Sequence, residues 1–424
     1  MDKVSISRLC YIERMNAILG RRNMLWIWIG LILLFMIFLI LAIALDIFLG
    51  YRLKQKTRAQ PQEYQGYDTV HFFADGTELF SDLIREIESA KDYIHLSFFI
   101  FAYDAIGKKL IKLLREKAKD GVTVRLLVDT VGGFPLRKHR KKIKEAGIHL
   151  SFAAPIRFPF LFYYLNRRYH RKIAVIDGKV GYFGGFNVGD EYLGRNPERG
   201  DWQDCHLKLK GDGVNHLQQQ FSQDWLQASG ESLNIKGIDV GLEKENISIK
   251  LLATNGSHLE KALIEHLEQA KHSIFIGSPY FIPSKKLMQV LIHCLDRGVK
   301  LTILLPTRKD HPFVKPASCH YLKPLLKRGC ELYYFYQGFY HSKTIVVDEE
   351  ACCIGTANFD WRSFFWNDEL SAFIHDKSFV KVVLEQTYRD IHLGSELMTL
   401  EGFKNRPLWE KIKTPLCRML YPLL

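Results

Sequence analysis

A sixteen-residue stretch occurs twice in this chain. Gly76-TELFSDLIREIESA-Lys91 aligns without gaps to Gly256-SHLEKALIEHLEQA-Lys271, an offset of 180 with seven of sixteen positions identical. In both copies a Leu-Ile pair, at 83–84 and 263–264, falls in the pattern of an amphipathic helix. An apolar run follows each, over 93–102 and 273–282, and reads as a buried strand. A second helix then ends near Gly121-Val122 or Gly298-Val299 and leads into VTVRLLVD or VKLTILLP. Strand, helix and strand in this order predict βαβ units and a largely parallel sheet. The duplication predicts two equivalent halves facing across a pseudo-two-fold axis. Two independent domains on a string would instead separate whatever the halves share.

The halves also share a chemical pattern. His170-Arg171-Lys172 runs through an apolar stretch to Asp177, and His341-Ser342-Lys343 does the same to Asp348. Each reads His-x-Lys-x-x-x-x-Asp, and each looks like a strand running into a turn. Side chains two apart on a strand share a face, so His and Lys project together while Arg171 and Ser342 point away. A neutral imidazole beside a fixed ammonium can attack phosphorus while the cation holds the phosphoryl oxygens. Seventeen residues past each His comes an amide, Asn187 or Asn358, preceded by small residues that include Gly185 and Thr356. Small residues let backbone approach an anion, and the amide adds a donor. One such octapeptide is equally well a buried strand with a surface His; two with the same downstream pattern are not. Two His, two Lys and two Asn converging on one pocket suit a phosphodiester without a metal or other cofactor.

From Met24 to Leu45 there are 22 residues without a charge. At about 1.5 Å per residue they span about 33 Å, enough for the hydrocarbon layer. The run is longer than a signal peptide's apolar region, so it reads as an anchor. Basic residues flank it on both sides, which leaves the positive-inside rule nearly silent. The formal charge of +13 implies an anionic partner, and charge alone does not choose between nucleic acid and an anionic lipid surface. Eight Cys show neither a C-x-x-C pair nor a disulfide framework, so they read as reduced core thiols and no zinc site is indicated.

The doubled motif resembles the phospholipase D superfamily, whose fold brings two α/β halves together at one site. The likeness narrows at Gly184-Gly-Phe-Asn-Val-Gly-Asp-Glu-Tyr192, at Gly355-Thr-Ala-Asn-Phe-Asp-Trp-Arg-Ser363 and at Asn367-Asp-Glu369. These are similar to the bacterial cardiolipin synthases, and the single N-terminal membrane segment is similar to their short form in Gram-positive bacteria. The resemblance implies an α/β fold of two pseudo-symmetric phospholipase D-like halves, each a mainly β-sheet core flanked by helices. It implies a phosphohistidine on His170, with His341 as general acid and base, and transfer of a phosphatidyl group between two phosphatidylglycerols, releasing glycerol. Glu369, 28 residues after His341, matches the family's orienting acid. In the first half the nearest equivalent is Asp204, 34 residues after His170. Asp177 and Asp348 belong to the catalytic motif, where capping the strand turn suits them better than touching substrate.

The expected organisation is a basic tail 1–23, a membrane helix 24–49, a linker 50–66, halves at 67–235 and 236–400, and an amphipathic tail 401–424. The aromatics of 152–169 and the tail each admit two readings, membrane interface or packing on the domain. The reduced cysteines and the resemblance favour a single-pass protein of the cell membrane with its catalytic part on the cytoplasmic side. A hydrolytic phospholipase D would carry the same motifs. A nuclease of this fold fits the anchor poorly, so no nucleic-acid partner is expected. A catalytically dead scaffold would not retain both motifs, and the chain lacks the G-x-x-x-x-G-K-[ST] that a P-loop kinase requires.

Overall fold

In a computed structural model the described residues are 3–56, 60–234, 246–308 and 311–419. Cys10 and nearly all side chains of the basic tail lie outside the described residues, as do the opening of the second half before Asn246 and residues 420–424 of the C-terminal tail. Two units are distinguished, residues 1–58 with 157–165, and 59–156 with 166–424.

The first unit is built on helix α1 (Lys3–Lys56). Its stretch Met24–Gln55 is long and apolar enough to cross a membrane. Leu, Ile, Phe and Trp side chains stand exposed along it, as a lipid-facing helix requires. The helix runs on past the expected linker boundary, and the strand from Gln62 takes up most of the rest of that stretch. The Asp46 carboxylate accepts from the N–H groups of Phe162 (2.9 Å) and Tyr163 (3.0 Å). Tyr163 is buried, whereas Phe158 is 86% exposed, so the aromatics of this segment divide between packing and surface.

The second unit is organised by one continuous sheet. Its first seven strands are β1 (Gln62–Phe73), β2 (Tyr93–Phe98), β3 (Thr123–Asp129), β4 (Ile148–Ala153), β5 (Ile173–Ile176), β6 (Val180–Gly184) and, after the short β7 (Asp201–Gln203), β8 (His206–Gly211). The second half repeats them as β9 (Ile247–Asn255), β10 (Ser273–Gly277), β11 (Lys300–Pro306), β12 (Glu331–Phe335), the short β13 (Gly338–Tyr340), β14 (Thr344–Val347), β15 (Ala351–Gly355) and β16 (Asp368–Ile374). The order is β4-β3-β2-β5-β6-β8-β1 and then, mirrored, β9-β16-β15-β14-β10-β11-β12, with β17 (Ser395–Leu397) at the far edge. The halves join where β1 and β9 pair antiparallel, Gln62 opposite Ala253 through Asp68 opposite Ile247.

Within the large sheet, among the described residues, β2-β3-β4 and β10-β11-β12 are parallel and the other ladders antiparallel, which corrects the expectation of a largely parallel sheet. The tight turns at Asp177 and Asp348 are the reason. A turn of a few residues returns the chain antiparallel, whereas a parallel partner needs a long crossover. The repeated stretch forms the amphipathic helices Gly76–Ser89 and Leu259–Glu268, which bury Leu83 and Leu263 at matching positions. A shared core joins Ile173, Val175 and Phe183 of one half to Val346, Ile354 and Leu370 of the other. The halves are therefore one folded body rather than beads on a string.

Candidate active site

The two short segments that lead into β5 and β14 hold the His and Lys of the doubled motif. His170 and Lys172, and His341 and Lys343, precede their strands instead of lying within them. Their backbone pairs with the opposite half of the molecule. His170 N–H donates to the Asp368 carbonyl (3.0 Å), and Asp368 N–H to the Arg168 carbonyl (3.0 Å). In the other half β13 pairs parallel with β7, Tyr340 opposite Gln203, and His341 N–H donates to the Gln203 carbonyl (2.7 Å). Each His is thus set beside the residue that precedes the other half's carboxylate.

The acids are consequently exchanged. Glu369 Oε2 lies 2.9 Å from His170 Nδ1, and Asp204 Oδ2 lies 2.6 Å from His341 Nδ1. Sequence order puts Glu369 with His341 and Asp204 with His170; the cross-half backbone pairing reverses this. All four side chains are buried. With Nδ1 facing a carboxylate, the tautomer that donates there leaves Nε2 available for chemistry.

The two acids are held differently, and their lengths explain how. Glu369 reaches far enough to accept from Thr356 Oγ1 (2.5 Å) and Asn367 Nδ2 (3.2 Å). Asp204 is one methylene shorter, and its Oδ1 accepts from Cys205 N–H (2.8 Å). Gly185 occupies the place that Thr356 has in the other half. A Cβ there would meet Asp204 Oδ1 at 1.9 Å, so a side chain and this carboxylate cannot coexist. Burial pulls both carboxyls upward, but ion pairing outweighs it. His170, with Lys172 and the Thr356 hydroxyl, holds Glu369 at about 2. Lys343 and His341 hold Asp204 at about 2.

Both lysines are enclosed. Lys172 donates to the His170 carbonyl (2.8 Å), and Lys343 to the His341 carbonyl and to Asp204 Oδ2 (3.4 Å). Burial pulls both ammonium groups down, Lys172 to about 7. Burial likewise lowers His170, against the pull of Glu369. The first motif feels the second one's cation, since Lys343 acts on both His170 and Lys172. The imidazole rings have different neighbours. Phe99 stands edge-on to His170 with centroids 5.0 Å apart, and Trp202 lies 4.9 Å from His341.

Asp177 and Asp348 sit apart from this cluster. Asp177 accepts from the N–H groups of Lys91, Asp92 and Tyr93, and Asp348 from those of Lys271, His272 and Ser273, all at 2.7–2.9 Å. Both adopt left-handed backbone, at φ 51° and 52°. They pin the turns of their halves. Asn187 and Asn358 are buried and partly committed, Asn187 to the segment that follows β2 and Asn358 to its own loop. Asn187 Oδ1 accepts from Ile100 N–H (3.0 Å), and Asn358 Nδ2 donates to Asp360 (3.2 Å).

Arg171 points away from the motif His and Lys, as strand alternation predicts, yet it is the structural key beneath them. Fully buried, it donates to Asp224 Oδ1 (2.7 Å), the Thr254 carbonyl (2.7 Å), Asn255 Oδ1 (2.5 Å) and the carbonyl of Glu369 (3.1 Å). Arg167 grips both oxygens of Asp368 (2.7 and 2.9 Å). An arginine next to a motif His, with acids far away in sequence, carries no local signal of these contacts. Among the described residues no group of three or more His, Cys, Asp or Glu side chains is placed to hold a metal.

The family model for the cardiolipin synthase, PLD-like domain matches residues 83–225 and again 263–391, one match for each half. The chain belongs to this family. It is 39% identical to the minor cardiolipin synthase ClsB of Bacillus subtilis over 85% of this chain and 91% of that protein. It is 41% identical to the major cardiolipin synthase ClsA of the same organism, over 84% of this chain and 76% of that one. Among solved structures, the fold is similar to that of a phosphatidylserine synthase of Haemophilus influenzae, with a TM-score of 0.67 at 13% identity, covering 88% of this chain and all of that one. Family membership makes the chain an enzyme of the phosphatidyltransferase, phospholipase D type, and its N-terminal apolar helix fits a membrane anchor.

Proposed function

We propose that this enzyme is a cardiolipin synthase that moves a phosphatidyl group from one phosphatidylglycerol to another. The observation that carries the proposal is the pair of imidazoles, each backed by a carboxylate of the opposite half and flanked by a buried lysine. In this reading His170 Nε2 attacks the phosphorus of the first lipid, and the bond from phosphorus to the glycerol oxygen breaks. His341, protonated at Nε2, gives that proton to the departing glycerol. His341 then takes the proton from the terminal hydroxyl of a second phosphatidylglycerol. The freed oxygen attacks phosphorus, the phosphorus–nitrogen bond breaks, and cardiolipin leaves.

Glu369 offsets the positive charge that grows on His170 as it bonds to phosphorus, and Asp204 supports the protonated state of His341. Lys172 and Lys343 are placed to face the charge on the phosphoryl oxygens, where an arriving anion would restore the protonation that burial weakens. Gly185 and Thr356 act through the acids they accommodate, and Asn187 and Asn358 shape the loops beside them. Phosphatidylglycerol and other anionic lipid are the partners this site suits. The seven described cysteines are free and buried, which suits a catalytic part on the cytoplasmic side of the cell membrane.

The deciding experiment is incubation of the purified enzyme with phosphatidylglycerol alone, with lipid products identified by mass. Cardiolipin with an equal amount of glycerol is the expected result. Phosphatidic acid as the main product would make the enzyme a hydrolase and overturn the proposal.

A further inference from the structure

The helix Leu408–Met419 is amphipathic with its faces reversed. Towards the domain it turns Glu410 and Thr414, both half-buried, and Cys417, which packs with Ile282, Val314 and Ala317. Away from the domain it turns Leu408 (72% exposed), Trp409 (49%), Ile412 (58%) and the exposed Pro415. At about 3.6 residues per turn, Pro415, Leu408, Ile412 and Trp409 occupy adjacent positions around the helix. Lys411 and Arg418, both exposed, line one border of this stripe, and the exposed Lys413 lines the other, its ammonium 4.8 Å from the Trp409 ring. A helix built only to cover the domain would bury its Leu, Trp and Ile and expose its Glu and Thr. Here Leu408, Trp409 and Ile412 are exposed while Glu410 and Thr414 are half-buried.

We propose that the outward face of Leu408–Met419 lies in the interface of an anionic bilayer. Its apolar stripe would sit at the boundary between headgroups and acyl chains, with Lys411, Lys413 and Arg418 on lipid phosphates. Three features select a lipid surface as the occupant. The stripe is bordered by cations on both sides, the arrangement by which in-plane helices bind anionic headgroups. Trp409 combines an apolar ring with a polar N–H, which suits the interfacial zone. The chain also carries a helix long enough to cross a membrane, so a bilayer is within reach of its covalent tether. A second copy seated on this face would bring the same cations against one another. The sequence left the tail between interface and packing, and the structure assigns both roles to one helix, on opposite sides.

The test uses the full-length protein in vesicles of phosphatidylglycerol and phosphatidylcholine whose acyl chains carry bromine, a contact quencher of indole emission. The emission lost on Trp409→Phe isolates Trp409 from the other six tryptophans. That component should be quenched by the brominated lipid and shielded from acrylamide in the water. Lys411→Glu with Lys413→Glu should return it to acrylamide, and these exposed positions leave the fold intact. A Trp409 component open to acrylamide and untouched by brominated lipid would overturn the proposal. A component shielded from both, and exposed again on dilution, would give the face to a second copy and also overturn it. The readout needs no turnover, so it is independent of the reaction proposed above.

Discussion

Replacing Glu369 by Gln keeps the shape of the site and removes one charge, and its consequence follows from the pairing across the halves. Burial by itself would lift this carboxyl above its ordinary 4.5, yet its surroundings hold it at about 2. At about 1.4 kcal/mol for each tenfold change, that difference corresponds to about 3 kcal/mol of preference for the charged form. His170 is the largest favourable influence, ahead of Lys172 and Thr356, so the imidazole pair carries at most about 3 kcal/mol. Losing it should slow bond formation at His170 by roughly 10- to 100-fold. The assay compares phosphatidylglycerol with phosphatidyl-p-nitrophenol, whose leaving group departs without a proton. Glu369→Gln should stay slow on both, because its defect lies in the attack. Asp204→Asn should be slow on phosphatidylglycerol and largely rescued on the nitrophenyl lipid, because its partner His341 supplies the proton. Rescue of Glu369→Gln but not of Asp204→Asn would refute the argument from exchanged acids, as would a loss under about threefold in Glu369→Gln.

Four further outcomes follow. Gly185→Thr places a Cβ where Asp204 Oδ1 now lies, and it should lower turnover as much as Asp204→Asn while Thr356→Gly, with a cavity instead of a clash, costs less; steady-state rates of the three variants check this. Arg171→Met leaves the buried Asp224 without its cation and should destabilise by about 3–5 kcal/mol, much of it recovered in Arg171→Met with Asp224→Asn, as read by urea unfolding in detergent. Both Glu369 and Asp204 are held below their ordinary values, so their stabilisation is complete above about pH 4.5 and is lost as pH falls toward 2, a window that circular dichroism should show narrowing in Glu369→Gln. Acid quenching with labelled phospholipid should trap label on the wild type and on His341→Ala but not on His170→Ala, and label on His170→Ala would exchange the two roles.

Much of the site was legible because a duplicated chain writes its chemistry twice. His170 with His341 and Lys172 with Lys343 stand at matched positions, and each half buries the same helix face at Leu83 and Leu263. The anchor was legible because an uncharged run of that length has no other comfortable solvent. Asp177 and Asp348 could be read as turn residues, since a carboxylate beside Gly178 or Glu349 can cap the neighbouring N–H groups.

The partnership of acids and imidazoles was not legible, because it depends on backbone pairing between residues 199 positions apart for His170 and Glu369, and 137 for His341 and Asp204. Nothing near Arg171 in sequence announces Asp224, Asn255 or the carbonyl of Glu369. The parallel sheet was overestimated because local periodicity reveals strands but not which neighbours they take. The chain's own residues thus determined the parts and their duplication: anchor, motifs, helices and strands. Tertiary structure alone decided that the two halves form one sheet and that each imidazole leans on the other half's carboxylate. Side-chain pattern is a local property, whereas a hydrogen bond between distant segments exists only once the β1–β9 seam and the β7–β13 pairing have brought them together.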